Sequence, residues 1–444
     1  MSKLLCYTHR LTPRVNYIFD VLFNGFLGID FELTNSAEKF QEYDGPKLSY
    51  TFKPLGTELH FTCGNILFEK GVSEQNPSVS SFQGIHTLYK ISETASSLPF
   101  DPFAASFFML SRYEECLPHL RDKYDRFEAE QSFSFQNGFI HQPVVDHWAI
   151  MIGNKLKERW PEIKIKEREF KFISTIDIDN AYAYRLKGLF RTAGAFGRAI
   201  LSGNFSEVSD RIRVLTGNSR DPYDTYDMQL ALQERYGFEV IYFFLLADYG
   251  LNDKNVPHYN NEFRSLIKHL ADYGKVGIHP GFGSNKNPEK LKVEKERLEN
   301  IVHIKVKRSR QHFLILHLPH TYRRLIDNEI TEDYTMGYAG CTGFRAGTCT
   351  PYKFYDLDLE TSTKLMVHPF AVMDATLKYY MKISPDQAMK HVEELIANVR
   401  AVNGTFISLW HNETLNDRGI WSDWKKVYEH VIKIASTSTS NGKN

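Results

Sequence analysis

The feature that most constrains the fold is an alternation of strand-like and helix-like segments that begins near residue 168. A buried strand is predicted at Phe238–Leu246, and an amphipathic helix follows at Phe263–Leu270. Further strands are predicted at Lys275–His279 and Thr405–Trp410. Repeated alternation of this kind predicts an α/β parallel sheet or barrel. In either architecture, ligands bind at the C-terminal ends of the strands.

The strand predicted at Phe172–Asn180 carries two carboxylates near its C-terminal end. Because successive side chains point to opposite faces, Asp177 and Asp179 share one face, about 7 Å apart. Like charges that close repel each other, and a metal ion or a shared proton would compensate them. The alternative is a strand that ends in solvent, with both aspartates as turn residues.

Other predicted strand ends carry residues that bind metals or transfer protons. His279 ends a short strand, Arg310 and His312 lie in a strand candidate at Lys305–Phe313, and His411 follows the last strand. Neutral imidazole combined with carboxylate suits zinc and related divalent ions. For each histidine, the alternative is a hydrogen-bonded residue of the core or of a loop.

The first part of the chain has a different pattern, with frequent turns and weakly alternating strands at Leu48–Phe52 and Leu59–Cys63. A helix is predicted to begin after Asp101, its N-cap residue, with Pro102 at the first helical position. No cluster of chemically reactive residues stands out here. The predicted organisation is a smaller N-terminal α+β domain at 1–160, a linker at 161–168, a second domain at 169–435 and a disordered tail at 436–444.

Composition argues against several classes of function. The 444 residues include 54 basic and 54 acidic side chains, so the net charge of zero provides no long-range attraction to nucleic acid. No segment is apolar over the length of a membrane span, and Met1–Val15 lacks the apolar core of a signal peptide. The five cysteines are scattered without a CxxC pair, which favours reduced thiols and a cytoplasmic location.

Taken in order, the strand-end motifs resemble those of NodB-type polysaccharide deacetylases, which are carbohydrate esterases that remove N-acetyl groups from sugars. The motifs are Thr175-Ile176-Asp177-Ile178-Asp179, His279-Pro280, Ser309-Arg310-Gln311-His312-Phe313 and Leu409-Trp410-His411. The resemblance implies a distorted (β/α) barrel of about seven strands. The preceding segment resembles the uncharacterised N-terminal domain that precedes such deacetylase domains in some bacterial proteins.

The resemblance also implies a role for each motif residue. Asp177 would be the general base, Arg310 would orient it, and His411 would be the general acid. Asp179 and His279 would bind the metal.

The third metal ligand departs from the family pattern. The family has a second metal-binding histidine four residues after the first, but this chain has Gly283 at that position. His312, in the segment that resembles the arginine motif, is therefore the candidate for the remaining ligand.

Three further residues are candidates for substrate binding. Arg345 lies in a loop framed by glycines and could present its guanidinium to an anionic or hydroxyl-rich ligand. Trp410 is a candidate wall of the site, and Glu413 follows the end of the last strand. The alternatives are an exposed arginine in a flexible connection and a tryptophan in the core.

The implied function is metal-dependent hydrolytic N-deacetylation of an amino sugar or polysaccharide precursor, with a carbohydrate as the predicted partner. A divalent ion, expected to be zinc, would polarise the acetamide carbonyl and lower the pKa of its bound water to about 7. An aspartate would take the proton of the attacking water, and a histidine would protonate the departing amine. The missing signal peptide favours a nucleotide- or lipid-linked precursor as substrate. The alternatives are a barrel that binds glycans without turnover and a metal-dependent esterase acting on another acyl group.

Overall fold

The computed structural model describes residues 3–437, so the part of the predicted tail from residue 438 onwards lies outside the described residues. Within this range, the strands are β1 Leu4–Thr8, β2 Phe31–Thr34, β3 Lys47–Thr51, β4 Leu59–Thr62, β5 Val79–Phe82, β6 Ile85–Leu88, β7 Lys171–Ile178, β8 Glu239–Phe244, β9 Lys275–Ile278, β10 Arg308–Ser309, β11 Glu332–Asp333, β12 Tyr352–Asp356, β13 Thr361–Val367, β14 Val372–Met373 and β15 Thr405–His411.

The α-helices are α1 Pro13–Phe19, α2 Ala37–Glu42, α3 Pro102–Leu110, α4 Phe133–Gln136, α5 Val144–Arg159, α6 Leu189–Leu201, α7 Phe205–Leu215, α8 Tyr226–Tyr236, α9 Asn261–Tyr273, α10 Pro288–Val302, α11 His320–Asp327, α12 Pro385–Ala401 and α13 Trp424–Ser436. Wider or tighter helical turns lie at Asp20–Leu27, Ile66–Phe68, Tyr113–Cys116, Ala129–Gln131, Phe282–Asn285, His312–Leu314, Thr376–Tyr380, Asn412–Asn416 and Gly419–Trp421. None of the helices described here is both long enough and apolar enough to cross a membrane.

The N-terminal unit is built on a four-stranded sheet in the order β2-β1-β3-β4. All of its strand pairs are parallel. This corrects the predicted α+β arrangement of the unit. The reason is that helical segments at Pro13–Phe19 and Asp20–Leu27 follow β1 and return the chain to start β2 in the same direction. The small hairpin of β5 and β6 in this unit is antiparallel.

The larger sheet has nine strands in the order β12-β13-β11-β10-β9-β8-β7-β15-β14. Its pairs are parallel except for β12 with β13. The predicted alternation is therefore confirmed as a mixed α/β fold with a mostly parallel sheet. β7, which carries Asp177, lies between β8 and β15 and pairs with both over most of its length.

One stretch of chain bonds to strands near both ends of this sheet. β13 pairs with β11, and β14, a few residues later, pairs with β15. Between them, the Phe370 N–H donates to the Met336 carbonyl (3.1 Å), and the Ala371 N–H donates to the Ile407 carbonyl (3.0 Å). The sheet therefore curves until its two sides approach each other.

The two faces of β7 are those predicted from its alternation. Phe172, Ile176 and Ile178 lie in the large core between the sheet and the surrounding helices. Ile173 packs instead with a second, smaller cluster that includes Phe243. This smaller cluster lies on the face that carries the two aspartates.

A buried ion-pair cluster joins the N-terminal unit to the larger sheet region. Glu115 accepts hydrogen bonds from Arg345 Nε (2.9 Å) and Nη2 (2.7 Å), and also from Arg112 Nε (2.8 Å). All three side chains are almost fully buried. Glu115 thus bridges two buried guanidinium groups from segments that are far apart in sequence.

Candidate metal centre

The predicted strand-end residues come together at one edge of the larger sheet. The register of β7 and β15 places Asp177 directly beside His411. His279 follows β9, and Arg310 follows β10, two strands that pair with each other. Parallel strands thus bring together side chains that are far apart in sequence.

Asp179, His279 and His312 form a three-residue cluster. Asp179 Oδ1 lies 3.1 Å from His279 Nε2, and its Oδ2 lies 3.4 Å from His312 Nε2. The ligand atoms of the three side chains all lie within 4.8 Å of one another. The cluster can hold a metal ion, and one carboxylate with two imidazoles is a donor set typical of catalytic zinc sites.

Each histidine of the cluster is oriented by a hydrogen bond from its other ring nitrogen. His279 Nδ1 lies 2.6 Å from the Arg310 carbonyl oxygen, and His312 Nδ1 lies 2.9 Å from Asp253 Oδ1. Because a carbonyl and a carboxylate only accept, each Nδ1 carries the proton and each Nε2 faces Asp179. Metal-binding histidines are held in this manner by a carboxylate or a carbonyl behind them.

The electrostatics of the cluster favour a positive charge at its centre. Burial disfavours charge, yet the Asp179 and Asp253 carboxylates raise the pKa of His312 to about 9. Burial likewise opposes ionisation of Asp179, but His312 and His279 hold the pKa of that carboxyl well below its usual range. A divalent cation would supply the same charge without the proton.

Buried oxygen atoms without partners also fit a metal. Among the described residues, Oδ1 of Asp177 and Oδ1 of Asp179 are buried and accept no hydrogen bond. An unpaired buried carboxylate oxygen is costly, and a cation between these groups would remove that cost.

The side chain of Asp177 is flanked by a buried arginine. Arg310 Nη1 lies 3.8 Å from Asp177 Oδ1, and Arg310 Nη2 donates to Thr175 Oγ1 (2.8 Å). The guanidinium carbon lies 5.1 Å from the ring centroids of both Phe243 and Phe370. Burial lowers the pKa of Arg310, and the Asp177 charge opposes that shift.

His411 also lies next to the cluster and is paired with a buried carboxylate. His411 Nδ1 lies 2.8 Å from Asp374 Oδ1, and Nε2 lies 3.7 Å from Asp179 Oδ2. Burial lowers the pKa of His411, but the carboxylates of Asp374, Asp179 and Asp177 together raise this pKa well above its usual value. A histidine held in this way is suited to donate a proton from Nε2.

These groups line a cleft of about 310 Å³. Phe313, Tyr379 and Tyr380 form aromatic walls, and the N-terminal unit contributes Tyr124 and Arg126. Arg126 donates to the Phe313 carbonyl (3.1 Å) and to the Tyr380 hydroxyl (2.9 Å), which fixes its guanidinium at the rim. The cleft is therefore built by both units of the chain.

Residues 4–161 match the model of a family of unknown function, DUF7033. A comparison with curated proteins gives no match.

Among solved structures, the chain is similar at low identity to polysaccharide deacetylases of the CE4 family. A candidate polysaccharide deacetylase from Mycobacterium smegmatis has 12% identity and a TM-score of 0.38, over 62% of this chain and 86% of that one. A polysaccharide deacetylase from Bacillus cereus has 11% identity and a TM-score of 0.29, over 60% and 86%. A CE4 family pseudoenzyme from Bacillus anthracis has 10% identity and a TM-score of 0.29, over 61% of each chain. Likenesses this weak do not assign a reaction.

Two of the residues predicted to bind substrate lie elsewhere. The guanidinium of Arg345 is buried against Glu115, so it is not presented to a ligand. Trp410 points away from the cleft, because it alternates with the inward-facing Leu409 and packs on Tyr428 of α13 (5.0 Å between ring centroids).

The third predicted substrate residue, Glu413, lies in the turn after β15 and is not one of the residues that line the cleft. Burial and the nearby Asp179 carboxylate raise its pKa to about 7.

Sequence reasoning missed four residues of the site or its support. Asp374 and Asp253 each hold a histidine ring. Tyr124 and Arg126 were not considered at all. The two aspartates each follow a strand in the alternating region, which was a usable signal, but nothing in the sequence linked the N-terminal unit to the cleft.

Proposed function

We propose that this protein is a metal-dependent hydrolase that removes the N-acetyl group from an amino sugar. The observation that carries the proposal is the Asp179–His279–His312 cluster in a cleft that Asp177 and His411 also line. This order of groups matches what amide hydrolysis requires: a Lewis acid, a base and an acid around one carbonyl.

Asp179, His279 and His312 would hold a divalent ion, which we propose is zinc. When bound, the ion polarises the acetamide carbonyl and lowers the pKa of a water molecule to about 7. The hydrogen bonds to the Arg310 carbonyl and to Asp253 place a proton on Nδ1 of each imidazole and turn each Nε2 toward Asp179, where the ion would bind.

Asp177 would take the proton of the attacking water. Its Oδ2 lies 3.8 Å from His279 Nε2 of the cluster, and the buried guanidinium of Arg310 lies 3.8 Å from its Oδ1.

His411 would give its Nε2 proton to the nitrogen of the departing amine. Asp374 orients the imidazole and stabilises its protonated form, so the acid is ready before the C–N bond breaks.

The proposed substrate is a nucleotide- or lipid-linked precursor of a surface polysaccharide, and the proposed location is the cytoplasm. Aromatic side chains on several sides of the cleft suit the apolar faces of a sugar ring. We also propose that the larger sheet closes as the distorted (β/α) barrel that the motifs imply, with nine strands in place of about seven. The bonds of Phe370 and Ala371 to opposite sides of the sheet support that closure.

The proposal is tested by measuring acetate release from a panel of N-acetyl and O-acetyl sugars, with metal content determined on the same preparations. The wild-type protein is expected to carry about one equivalent of divalent ion and to deacetylate N-acetyl sugars. D179A is expected to lose both the ion and the activity. D177N is expected to keep the ion and to lose at least about a hundredfold in kcat.

Three outcomes would count against this function. Metal far below one equivalent that is unchanged by D179A would favour a glycan-binding protein without turnover. Release of acetate only from O-acetyl sugars would favour an esterase. Equal loss of metal in D177N and D179A would contradict the separate roles of the two aspartates.

A further inference from the structure

Helix α6 has an apolar face that points into solvent. Leu189, Phe190 and Leu201 are 88%, 96% and 91% exposed. The residue that α6 buries against the rest of the molecule, Ala199, has a small side chain. A surface helix normally buries its apolar stripe and exposes its polar residues, so this arrangement is reversed.

The segment around α6 is also strongly basic. Between positions 180 and 206 there is no acidic residue, whereas Arg185, Lys187, Arg191 and Arg198 are present. The zero net charge of the whole chain conceals this local excess. In α7, which follows, the charges balance, because Arg211 pairs with Glu207 and Arg213 with Asp210.

The apolar face continues beyond α6. Phe205, at the start of α7, is 68% exposed, and Leu251, in the loop after β8, is 85% exposed. The guanidinium of Arg191 lies over the Tyr249 ring, 4.2 Å from its centroid, and so joins that loop to the helix. We call these exposed residues of α6, the start of α7 and the loop at 249–251 the apolar face.

The apolar face lies on the side of the sheet that carries the candidate metal centre. Arg191 donates to the carbonyl oxygens of Lys254 (2.7 Å) and Asn255 (3.1 Å). Lys187 donates to the side-chain oxygen of Asn180, the residue after Asp179. The N-terminal end of α6 is thus hydrogen-bonded to the loops that follow the strand ends.

We propose that the apolar face docks on an anionic lipid surface. Exposed leucine and phenylalanine beside arginine, in a segment without acidic residues, form the pattern of a helix that lies in the membrane interface. The apolar side chains would enter the acyl boundary, and the exposed Arg198 would meet lipid phosphates, whereas Lys187 is buried and Arg185 pairs with Glu262. A second copy of this chain fits less well, because two-fold pairing of this face would bring its own cations together.

This docking does not depend on the proposed reaction. It orients the molecule so that the C-terminal ends of the strands face the headgroup region, where the sugar of a lipid-linked molecule would lie.

The test is flotation of the full-length protein with vesicles of phosphatidylcholine, with and without phosphatidylglycerol. Wild-type protein is expected to bind only the anionic vesicles and to be released by high salt. The triple variant L189S/F190S/L201S is expected to bind at least about tenfold more weakly, because three buried apolar side chains are lost. R198E is expected to bind the anionic vesicles at least about fivefold more weakly, through charge alone.

The matched control is L359S, which makes the same change at an exposed leucine of the turn between β12 and β13. It is expected to bind like wild type, and all variants are expected to keep the wild-type circular dichroism and melting temperature. The proposal is overturned if wild-type protein ignores anionic vesicles, or if the triple variant and R198E bind them unchanged. It is also overturned if the face instead forms a dimer in solution that the triple variant disperses.

Discussion

At the scale of single residues, Asp374 is the most informative side chain of the site. It is fully buried and accepts from the His411 N–H (2.7 Å), from Thr414 Oγ1 (2.5 Å) and from His411 Nδ1 (2.8 Å). The carboxylate therefore fixes both the backbone and the ring of His411. This makes Asp374 the positioning residue of the proposed general acid.

We expect D374N to lower kcat by about a hundredfold and to move the basic limb of its pH profile to lower pH. Asp374 stabilises the protonated imidazole, so its removal lowers the pKa of His411. The acid form is then lost at a lower pH than in the wild type. The control is T414V, which removes one hydrogen bond but keeps the carboxylate, and its basic limb should stay in place. A D374N profile with the wild-type limbs would contradict the role of Asp374.

The sequence predicted the positions of single side chains well where the alternation of side chains along a strand determines them. Period two placed Asp177 and Asp179 on one face, and the structure has them there. It also brings together His279, His312 and Asp179, as expected from strand ends that meet at one edge. The partner of His411 could not be predicted, because Asp374 lies 37 residues away and its position before a helical turn has an ordinary explanation.

At the scale of elements, the N-cap of α3 links a helix to the N-terminal sheet. Asp101 accepts from the N–H groups of Phe103 and Ala104 (3.0 Å each), as its position predicted. It also accepts from the Gly64 N–H (2.6 Å) and from the Tyr50 hydroxyl (2.8 Å). One carboxylate thus satisfies donors from three segments inside the core.

We expect D101A to lower the free energy of unfolding by about 3 kcal/mol, from the lost cap and from buried donors left without a partner. D101N should cost clearly less, because asparagine also caps helices well. The control is S384A at the exposed cap of α12, which should cost about 1 kcal/mol. Denaturant unfolding measures all three, and an equal cost for D101A and S384A would show that the additional donors do not matter.

Element boundaries were predictable where capping residues mark them and less so where tertiary contacts decide. The N-cap of α3 at Asp101 was predicted from sequence. The strand predicted at Lys305–Phe313 is only Arg308–Ser309, because the chain then turns, with φ of +61° at Phe313. No glycine or proline announces that turn. Packing of Phe313 against Tyr124 (5.0 Å between ring centroids) accompanies it, and this contact comes from another unit.

At the scale of the whole molecule, Glu115 binds the two units together. Burial opposes its ionisation, but Arg345 and Arg112 lower its pKa to about 2. Because this value lies below the ordinary one of 4.5, ionised Glu115 stabilises the folded state above about pH 4.5. That contribution is lost as the pH falls from there through about 2.

We expect E115Q to be less stable than wild type by about 3 kcal/mol at neutral pH, since it leaves the Arg345 charge buried without a carboxylate. The difference between the two proteins should shrink as the pH falls below 4.5. Denaturant unfolding between neutral and acid pH measures it. The control is E114Q, since burial raises the pKa of Glu114 and its contribution should have the opposite pH dependence. A constant difference between E115Q and wild type at all pH values would contradict the assignment.

The contribution of the N-terminal unit to the cleft has a consequence for how such proteins diverge. Tyr124 and Arg126 lie at the rim, whereas the candidate metal and proton-transfer groups follow strands of the larger sheet. Substitutions around residues 122–126 can therefore alter which molecule enters the cleft without touching the groups that act on it. Descendants of one ancestral chain can acquire new preferences through mutations in a region that a search for catalytic motifs would pass over.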